Sequence, residues 1–167
     1  MLYVLFFIEL STRKVHVAGC TANPDGAWVT QQARNLFFHL EQRKEPLKFF
    51  IHDRDKKFCG PFDDIFATEG VQVVRTPIQA PRANATAERW VRTVKEECLD
   101  WLLITGRRHL EAVLRTYVDH YNHARPHRGL ELAIPEPNEA VSELAHPAAV
   151  DRRNRLGSLI HEYYRTA

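Results

Sequence analysis

Cysteine is scarce in this chain, and its few cysteines match no metal site. The three residues, Cys20, Cys59 and Cys98, are odd in number and far apart. They fit neither the paired spacing of zinc ligands nor the framework of a disulfide-rich domain. We therefore expect three small buried thiols in a reducing compartment.

Long hydrophobic runs are also missing. The most apolar stretch, MLYVLFFIEL at the N-terminus, is interrupted by Glu9 well before the roughly 20 residues that a membrane-spanning helix needs. It has neither the basic region nor the cleavage site that is typical of a signal peptide. The sequence therefore predicts no membrane association and a cytoplasmic location.

Neither sign of charge dominates. The chain has 23 Lys and Arg against 21 Asp and Glu, which gives a net charge of +2 and a pI of about 8.5. Charge alone does not indicate a nucleic-acid-binding protein, although nine histidines can add positive charge near a polyanion. A length of 167 residues, with 44% hydrophobic and 26% charged residues, fits one globular core.

The order of apolar and polar residues predicts the elements β-β-α-β-α-β-α-α. The first strand is almost wholly apolar and is expected to be buried on both faces. Gly70 is expected to cap a short helix that opens at residue 60, and the three tryptophans Trp28, Trp90 and Trp101 are expected in the core. The predicted strands are residues 2–8, 15–18, 47–51 and 71–74, and the predicted helices are residues 28–43, 60–70, 84–106 and 107–123.

Two carboxylates stand out. Asp53, in IHDRDKKF, ends a short apolar run, and Glu88, in PRANATAERW, begins a long helical pattern 35 residues later. Acids on rigid elements suit Mg²⁺, which prefers oxygen ligands and keeps several waters. The alternative is that both are solvated surface groups.

Four stretches resemble the integrase core of DDE transposases and retroviral-type integrases, nearest to bacterial insertion-sequence transposases of mobile elements. They are FFIELSTRKV, IHDRDKKF, PRANATAERWVRTVKEECLD and YVDHYNHARPHRGL, and together they cover most of residues 1–135. The resemblance implies an α/β fold with a ribonuclease-H-like mixed sheet flanked by helices. It also implies DNA cleavage and strand transfer with Mg²⁺ or Mn²⁺, DNA as partner, and a homo-oligomer.

By this resemblance, Asp53 is the second and Glu88 the third catalytic, metal-binding acid. The family's first acid lies on the first sheet strand, upstream of the equivalent of Leu2, so we expect that strand and acid to be lacking here. Asp55 stands where relatives often carry Gly, which leaves open whether Asp53 or Asp55 faces the metal. Whether the chain itself is an enzyme is therefore uncertain.

Basic and polar residues around these acids are candidates for DNA binding. Arg92 and Lys95 follow Glu88 on one helical face, where they can contact phosphates, or where Arg92 can simply pair with Glu88. The predicted DNA-binding residues are Arg82, Asn84, Arg92, Lys95, Arg125 and Arg128.

The histidines of HYNHARPHR lack a clear fourth zinc ligand. We expect a structural turn there, with Tyr121 packed inward and Asn122 as a cap.

The missing strand would leave its neighbours, residues 2–8 and 47–51, without partners on one edge. The chain would then be only marginally stable unless these two strands paired directly. We predict a truncated catalytic core at residues 1–124 and an extended arm at residues 125–167. The expected function is DNA integration or transposition with impaired activity. The alternative is a non-catalytic, nucleic-acid-binding or self-associating transposase remnant.

Overall fold

A computed structural model describes residues 1–40, 46–58, 60–77, 84–137 and 149–165. The predicted order of the first eight elements is confirmed, and a β-hairpin follows them. The strands are β1 Tyr3–Ile8, β2 Val15–Thr21, β3 Phe49–His52, β4 Gln72–Arg75, β5 Val150–Arg155 and β6 Ile160–Arg165, and the helices are α1 Gly26–Leu40, α2 Gly60–Thr68, α3 Ala85–Glu97 and α4 Arg107–His123. Short 3₁₀ turns lie at Leu99–Trp101 and Arg128–Leu130.

The strands form three separate ladders of two strands each. β1 pairs with β2, β3 runs parallel to β4, and β5 runs antiparallel to β6. Within the described part of the chain, no ladder joins β1 to β3, so these two strands do not close up and pair directly. Among the described strands, each therefore has a hydrogen-bonded neighbour along one edge only.

The prediction that the first strand is buried on both faces is wrong. No residue of β1 is fully buried, and in β3 the side chains of Phe49 and Ile51 are 56% and 42% exposed. A strand with one neighbour has less cover from flanking elements than a central strand, so apolar composition overstated the burial of both strands.

Contacts divide the chain into two compact units. The first unit comprises Met1–Leu5 and Ala18–Arg89, and the second comprises Phe6–Val17 and Trp90–Ala167. The predicted boundary between residues 124 and 125 falls inside the second unit. The arm predicted from residue 125 onward contains the β5–β6 hairpin, which the sequence did not indicate.

The core of the first unit is built from phenylalanines. Phe62 and Phe66, on one face of α2, are completely buried, and Phe66 stacks on Phe50 of β3 at 3.9 Å between ring centroids. Phe37 of α1 meets Phe66 edge-on at 5.3 Å. Gly70, with φ of 74°, ends α2 and turns the chain into β4, as predicted.

The core of the second unit lies along α3 and α4. On α4 the residues predicted to face inward are all buried: Leu110, Val113, Leu114, Tyr117 and Tyr121. Trp90 and Val94 on α3, and Cys98 directly after it, recur at helical spacing and are also buried, so Trp90 is a core residue as predicted.

The prediction for Trp101 is wrong. The end of α3 at Glu97 leaves Trp101 in the following 3₁₀ turn, where its side chain is 71% exposed. Its indole N–H donates to the Glu96 carbonyl oxygen at 2.7 Å, which holds the ring along the surface instead of in the core.

Two of the three cysteines lie within the described residues. Cys20 and Cys98 are free and buried, and Cys59 lies outside the described residues. Burial raises the pKa of the Cys98 thiol to about 11. Helices long and apolar enough to cross a membrane are not found among the residues that the structure describes.

Candidate active site

Asp53 lies in the loop that follows β3, and its side chain is exposed. Its Oδ1 accepts a hydrogen bond from the Asp55 backbone N–H at 3.0 Å. Asp55 in turn accepts from the Lys57 backbone N–H at 3.0 Å and from Lys57 Nζ at 2.7 Å. Hydrogen bonds from Lys57 lower the pKa of Asp55, and the bond from the Lys57 side chain has a larger effect than the bond from its backbone. Among the residues that the structure describes, Asp55 is thus paired with a cation and Asp53 is not.

The end of β3 is anchored by His52, which is buried beside Asp53. Its Nε2 lies 2.9 Å from Asp63 Oδ1, and its Nδ1 lies 2.5 Å from the Asp53 carbonyl oxygen. Either oxygen can accept a hydrogen bond from a ring N–H. Asp63 also accepts from Arg75 of β4, with Nη2 at 2.5 Å. His52 therefore fixes the backbone from which Asp53 projects.

A surface pocket opens beside this loop and is lined largely by charged side chains. Arg54, Asp55, Lys56 and Arg75 contribute to it, and Asp53 is not among the lining residues. Arg54 is held in place by a hydrogen bond from its Nε to the Thr76 carbonyl oxygen at 3.0 Å. Three of these four side chains are cationic, which suits an anionic ligand such as a phosphate.

Glu88 lies in the first turn of α3, and its side chain is exposed. Among the described residues it makes no hydrogen bond or ion pair, so the predicted alternative of a Glu88–Arg92 pair is not formed. A carboxylate at this position interacts favourably with the positive end of the helix dipole. Asp53 and Glu88 both belong to the first compact unit.

A complete three-ligand metal cluster is not present in the described ranges. No group of three or more His, Cys, Asp or Glu side chains there is arranged to hold a metal ion. Asp53 and Glu88 are exposed carboxylates, and their oxygen donors match the preference of Mg²⁺ or Mn²⁺.

The predicted DNA-binding residues differ in their exposure and in their partners. Arg92, Lys95 and Arg128 are exposed, and Asn84 is half-buried directly before α3. Arg82 lies outside the described residues. Arg125 is already occupied, because it forms a two-point ion pair with Glu97.

This ion pair is part of a network that the sequence did not predict. Arg125 Nε and Nη2 lie 2.9 and 2.5 Å from the two Glu97 oxygens, and the Tyr117 hydroxyl donates to Glu97 at 2.7 Å. Burial alone would raise the pKa of Glu97, but the bonds from Arg125 and Tyr117 outweigh it and lower that pKa. Arg125 also lies over the Tyr121 ring, 5.6 Å from its centroid. No local pattern links residues 97, 117 and 125, so only the packing of α3 on α4 shows them as neighbours.

Asn122 does not cap a helix, contrary to the prediction. Its side chain is buried and binds the backbone of Val15 twice, accepting from the N–H at 2.9 Å and donating to the C=O at 2.8 Å. This pattern imitates a neighbouring strand and fastens β2 to the end of α4. The cap prediction failed because the partner is 107 residues away in the sequence.

The three histidines of this turn have separate partners. His120 faces Glu162 at 3.1 Å, and His123 faces Asp119 and Glu136 at 3.1 and 3.2 Å. His127 is buried, with Nε2 3.2 Å from the Tyr121 carbonyl oxygen, and burial lowers its pKa. This arrangement fits the structural turn predicted for the segment.

A comparison with protein families identifies one matching domain. Residues 69–135 match the model described as "Integrase core domain". The matched segment contains Glu88 and the YNHARPH turn. The resemblance to integrase cores is confirmed. Asp53 lies outside the matched segment, and a search of curated proteins finds no match.

Solved structures agree on the fold. The catalytic core domain of BIV integrase superposes with a TM-score of 0.54 and 14% identity, over 72% of this chain and 74% of that one. A simian T-cell lymphotropic virus intasome, solved in complex with a PP2A regulatory subunit, gives a TM-score of 0.57 and 12% identity. That match covers 99% of this chain and 60% of the intasome chain. The chain therefore has the ribonuclease-H-like α/β fold expected from its sequence.

Proposed function

We propose that this integrase core acts in DNA recombination as a divalent-metal-dependent enzyme that cleaves and joins DNA strands. The observation that carries the proposal is the family match over residues 69–135, which includes Glu88 at the start of α3. Asp53 adds to it, because it is a second exposed carboxylate in the same compact unit, at the end of β3.

Asp53 and Glu88 would hold Mg²⁺ or Mn²⁺ through their carboxylate oxygens, with water completing the coordination. When bound, such ions stabilise the attacking and leaving oxygens of an in-line displacement at phosphorus. His52 would act as a positioning residue, since it fixes the backbone at Asp53. Arg92, Lys95 and Arg128 would contact the DNA backbone, together with Arg82 and Asn84.

We place Asp53, and not Asp55, at the metal. Asp55 binds Lys57 through both backbone and side chain, so a metal ion would have to displace that cation. The Asp53 carboxylate accepts a single backbone N–H from Asp55. Arg125 would reach DNA only by leaving Glu97, so we assign it a smaller part in binding.

We further propose that strand transfer by this chain alone is impaired. The resemblance implies three catalytic acids, and the described residues offer no cluster of three candidate ligands. The apolar strands β1 and β3 also have exposed side chains and no ladder between them. We also propose a homo-oligomer and a cytoplasmic location, as in the sequence-based prediction.

The test is an assay of nicking and joining on labelled DNA ends, with Mn²⁺, with Mg²⁺ and with EDTA. We expect weak, metal-dependent nicking and little joining. Asp53→Asn and Glu88→Gln should each lower nicking at least tenfold, and Asp55→Asn should lower it much less. Asp64→Asn, which removes an exposed acid on α2, is the matched control.

Two results would contradict parts of this proposal. Nicking that persists in both the Asp53→Asn and Glu88→Gln variants would contradict their catalytic role. Efficient joining by the unmodified chain would contradict impaired activity while leaving the enzyme class intact. A melting temperature that rises with Mn²⁺ in the parent chain, but not in either variant, would support metal binding independently of turnover.

The second candidate is a non-catalytic protein that binds nucleic acid or self-associates. The absence of a three-acid cluster among the described residues favours it. In that case salt-dependent DNA binding would survive both Asp53→Ala and Glu88→Ala, and no cleavage would be detected with either metal.

A further inference from the structure

The β5–β6 hairpin has two faces of different character. Residues that pair across an antiparallel ladder lie on the same face, and successive residues of a strand alternate between faces. The register pairs Arg152 with Tyr163 and Asn154 with His161, so these four residues share one face. The opposite face carries Arg155 and Glu162 among others.

The second of these faces is docked on α4. Ile160 is buried there, with 8% exposure. Arg155 binds Asp119 at 2.7 Å and Glu162 at 3.0 Å, and Glu162 lies 3.1 Å from His120. The hairpin is therefore held to the second unit by one face only, and the other face is turned away from α4.

The face with Arg152 is cationic and aromatic. Arg152 is exposed and has no carboxylate partner within the described part of the chain, and Tyr163 is 66% exposed. His161 Nδ1 lies 2.9 Å from Asn154 Oδ1, and this contact orders the second cross-strand pair of the face. The hairpin carries four arginines and two acids, so its net charge equals the +2 of the whole chain.

We propose that this face, formed by Arg152, Asn154, His161 and Tyr163, binds an unpaired DNA strand. Arg152 contacts a backbone phosphate, and the Tyr163 ring stacks on an exposed base. An aromatic ring beside a cation is the arrangement that single-strand-binding surfaces use, because every base has a π-face and every nucleotide a phosphate. The choice of DNA over RNA rests on the proposed function.

A second copy of this chain is a less suitable occupant. Two such faces in contact would bring their Arg152 side chains together, and the face formed by Arg152, Asn154, His161 and Tyr163 has no carboxylate to offset the repulsion. A nucleic-acid strand supplies the opposite charge and the flat rings at once.

The experiment measures binding of the full chain to a labelled single-stranded oligonucleotide and to its duplex, by fluorescence anisotropy in EDTA at several salt concentrations. Tyr163→Ala should weaken single-strand binding about fivefold or more and leave duplex binding nearly unchanged. Tyr163→Phe should retain binding. Arg152→Gln should weaken binding of both DNAs and lower the salt slope by about 0.7 for the single strand.

The matched control is Arg34→Gln, which removes an exposed arginine from α1 in the first unit and should change nothing. Repeating the series in the Asp53→Asn, Glu88→Gln background separates this face from the metal-dependent chemistry, since binding should be the same there. Wild-type affinity in Tyr163→Ala and Arg152→Gln would overturn the proposal. So would a change in sedimentation coefficient in these variants with DNA binding unaltered, which would identify a self-association face.

Discussion

Polar side chains at the end of α4 and in the turn after it are engaged inside the protein, whereas two acids, Asp53 after β3 and Glu88 on α3, are exposed. Asn122, on α4, holds the Val15 backbone, and Arg125, in the turn, holds Glu97. In the loop and on α3, Asp53 makes a single local hydrogen bond, and Glu88 makes none with another described residue. The first set of side chains builds the scaffold, and the two acids remain available to a ligand.

This contrast shows why a motif match does not assign a role to each residue. A buried polar group must be paired inside the protein, because leaving it unpaired costs free energy. An exposed carboxylate has no such constraint, so its position at a strand end or helix start can serve binding. We therefore expect larger losses of folding stability from substitutions at Asn122 and Glu97 than from substitutions at Asp53 and Glu88.

Asn122→Ala should have the largest effect on stability. It leaves the N–H and C=O of the buried Val15 unsatisfied, at about 1–3 kcal/mol for each group. Urea unfolding should show a lower midpoint with an unchanged slope. The control is Asn35→Ala on the exposed face of α1, expected within about 0.5 kcal/mol of the parent. Equal effects of the two substitutions would contradict the structural role of Asn122.

Glu97→Gln should have an intermediate effect that depends on pH. The pKa of Glu97 is lower in the folded protein than its ordinary value of 4.5, so its charge stabilises the fold above that pH. This contribution is lost as the pH falls through the lowered pKa. Because the carboxylate is 39% exposed, we expect only about 1 kcal/mol at pH 7.

The measurement for Glu97→Gln is urea unfolding at pH 7 and at pH 3. The difference between parent and variant should be present at pH 7 and should shrink at pH 3. A difference that stays constant over this range would show that the charge of Glu97 does not contribute.

Asp53→Asn and Glu88→Gln should have the smallest effects on stability, within about 0.5 kcal/mol. Neither carboxylate forms an ion pair with another described residue, so neutralising it breaks no such interaction. Thermal melting monitored by circular dichroism would check this. A destabilisation as large as that of Asn122→Ala would mean that these acids are structural. It would then support the second candidate function, a non-catalytic protein.

The sequence predicted best those elements whose signals are local. The bounds of α4 and its five inward residues follow from a helical repeat of apolar residues. Gly70 was recognised because a left-handed φ favours glycine. The predicted places of Asp53 after a strand and of Glu88 at a helix start are confirmed, whereas their catalytic role stays a prediction.

Features that depend on distant partners were missed. The contacts of Asn122 with Val15 and of Glu97 with Arg125 form only when distant elements pack together. No spacing rule in the sequence identifies these pairs. The β5–β6 hairpin was missed because VDRRNR lacks apolar alternation, although Gly157, with φ of 65°, marks the turn between two six-residue strands. The burial of β1 was overestimated because composition does not reveal how many neighbours a strand has.

Cys98 offers a way to time the opening of the second unit. Cys98 lies directly after α3 and is completely buried, and its raised pKa, about 11, keeps the thiol protonated at neutral pH. An alkylating reagent can modify it only during excursions that separate α3 from its packing. Peptide-resolved labelling rates at position 98 would therefore report how often the second unit opens locally around this residue.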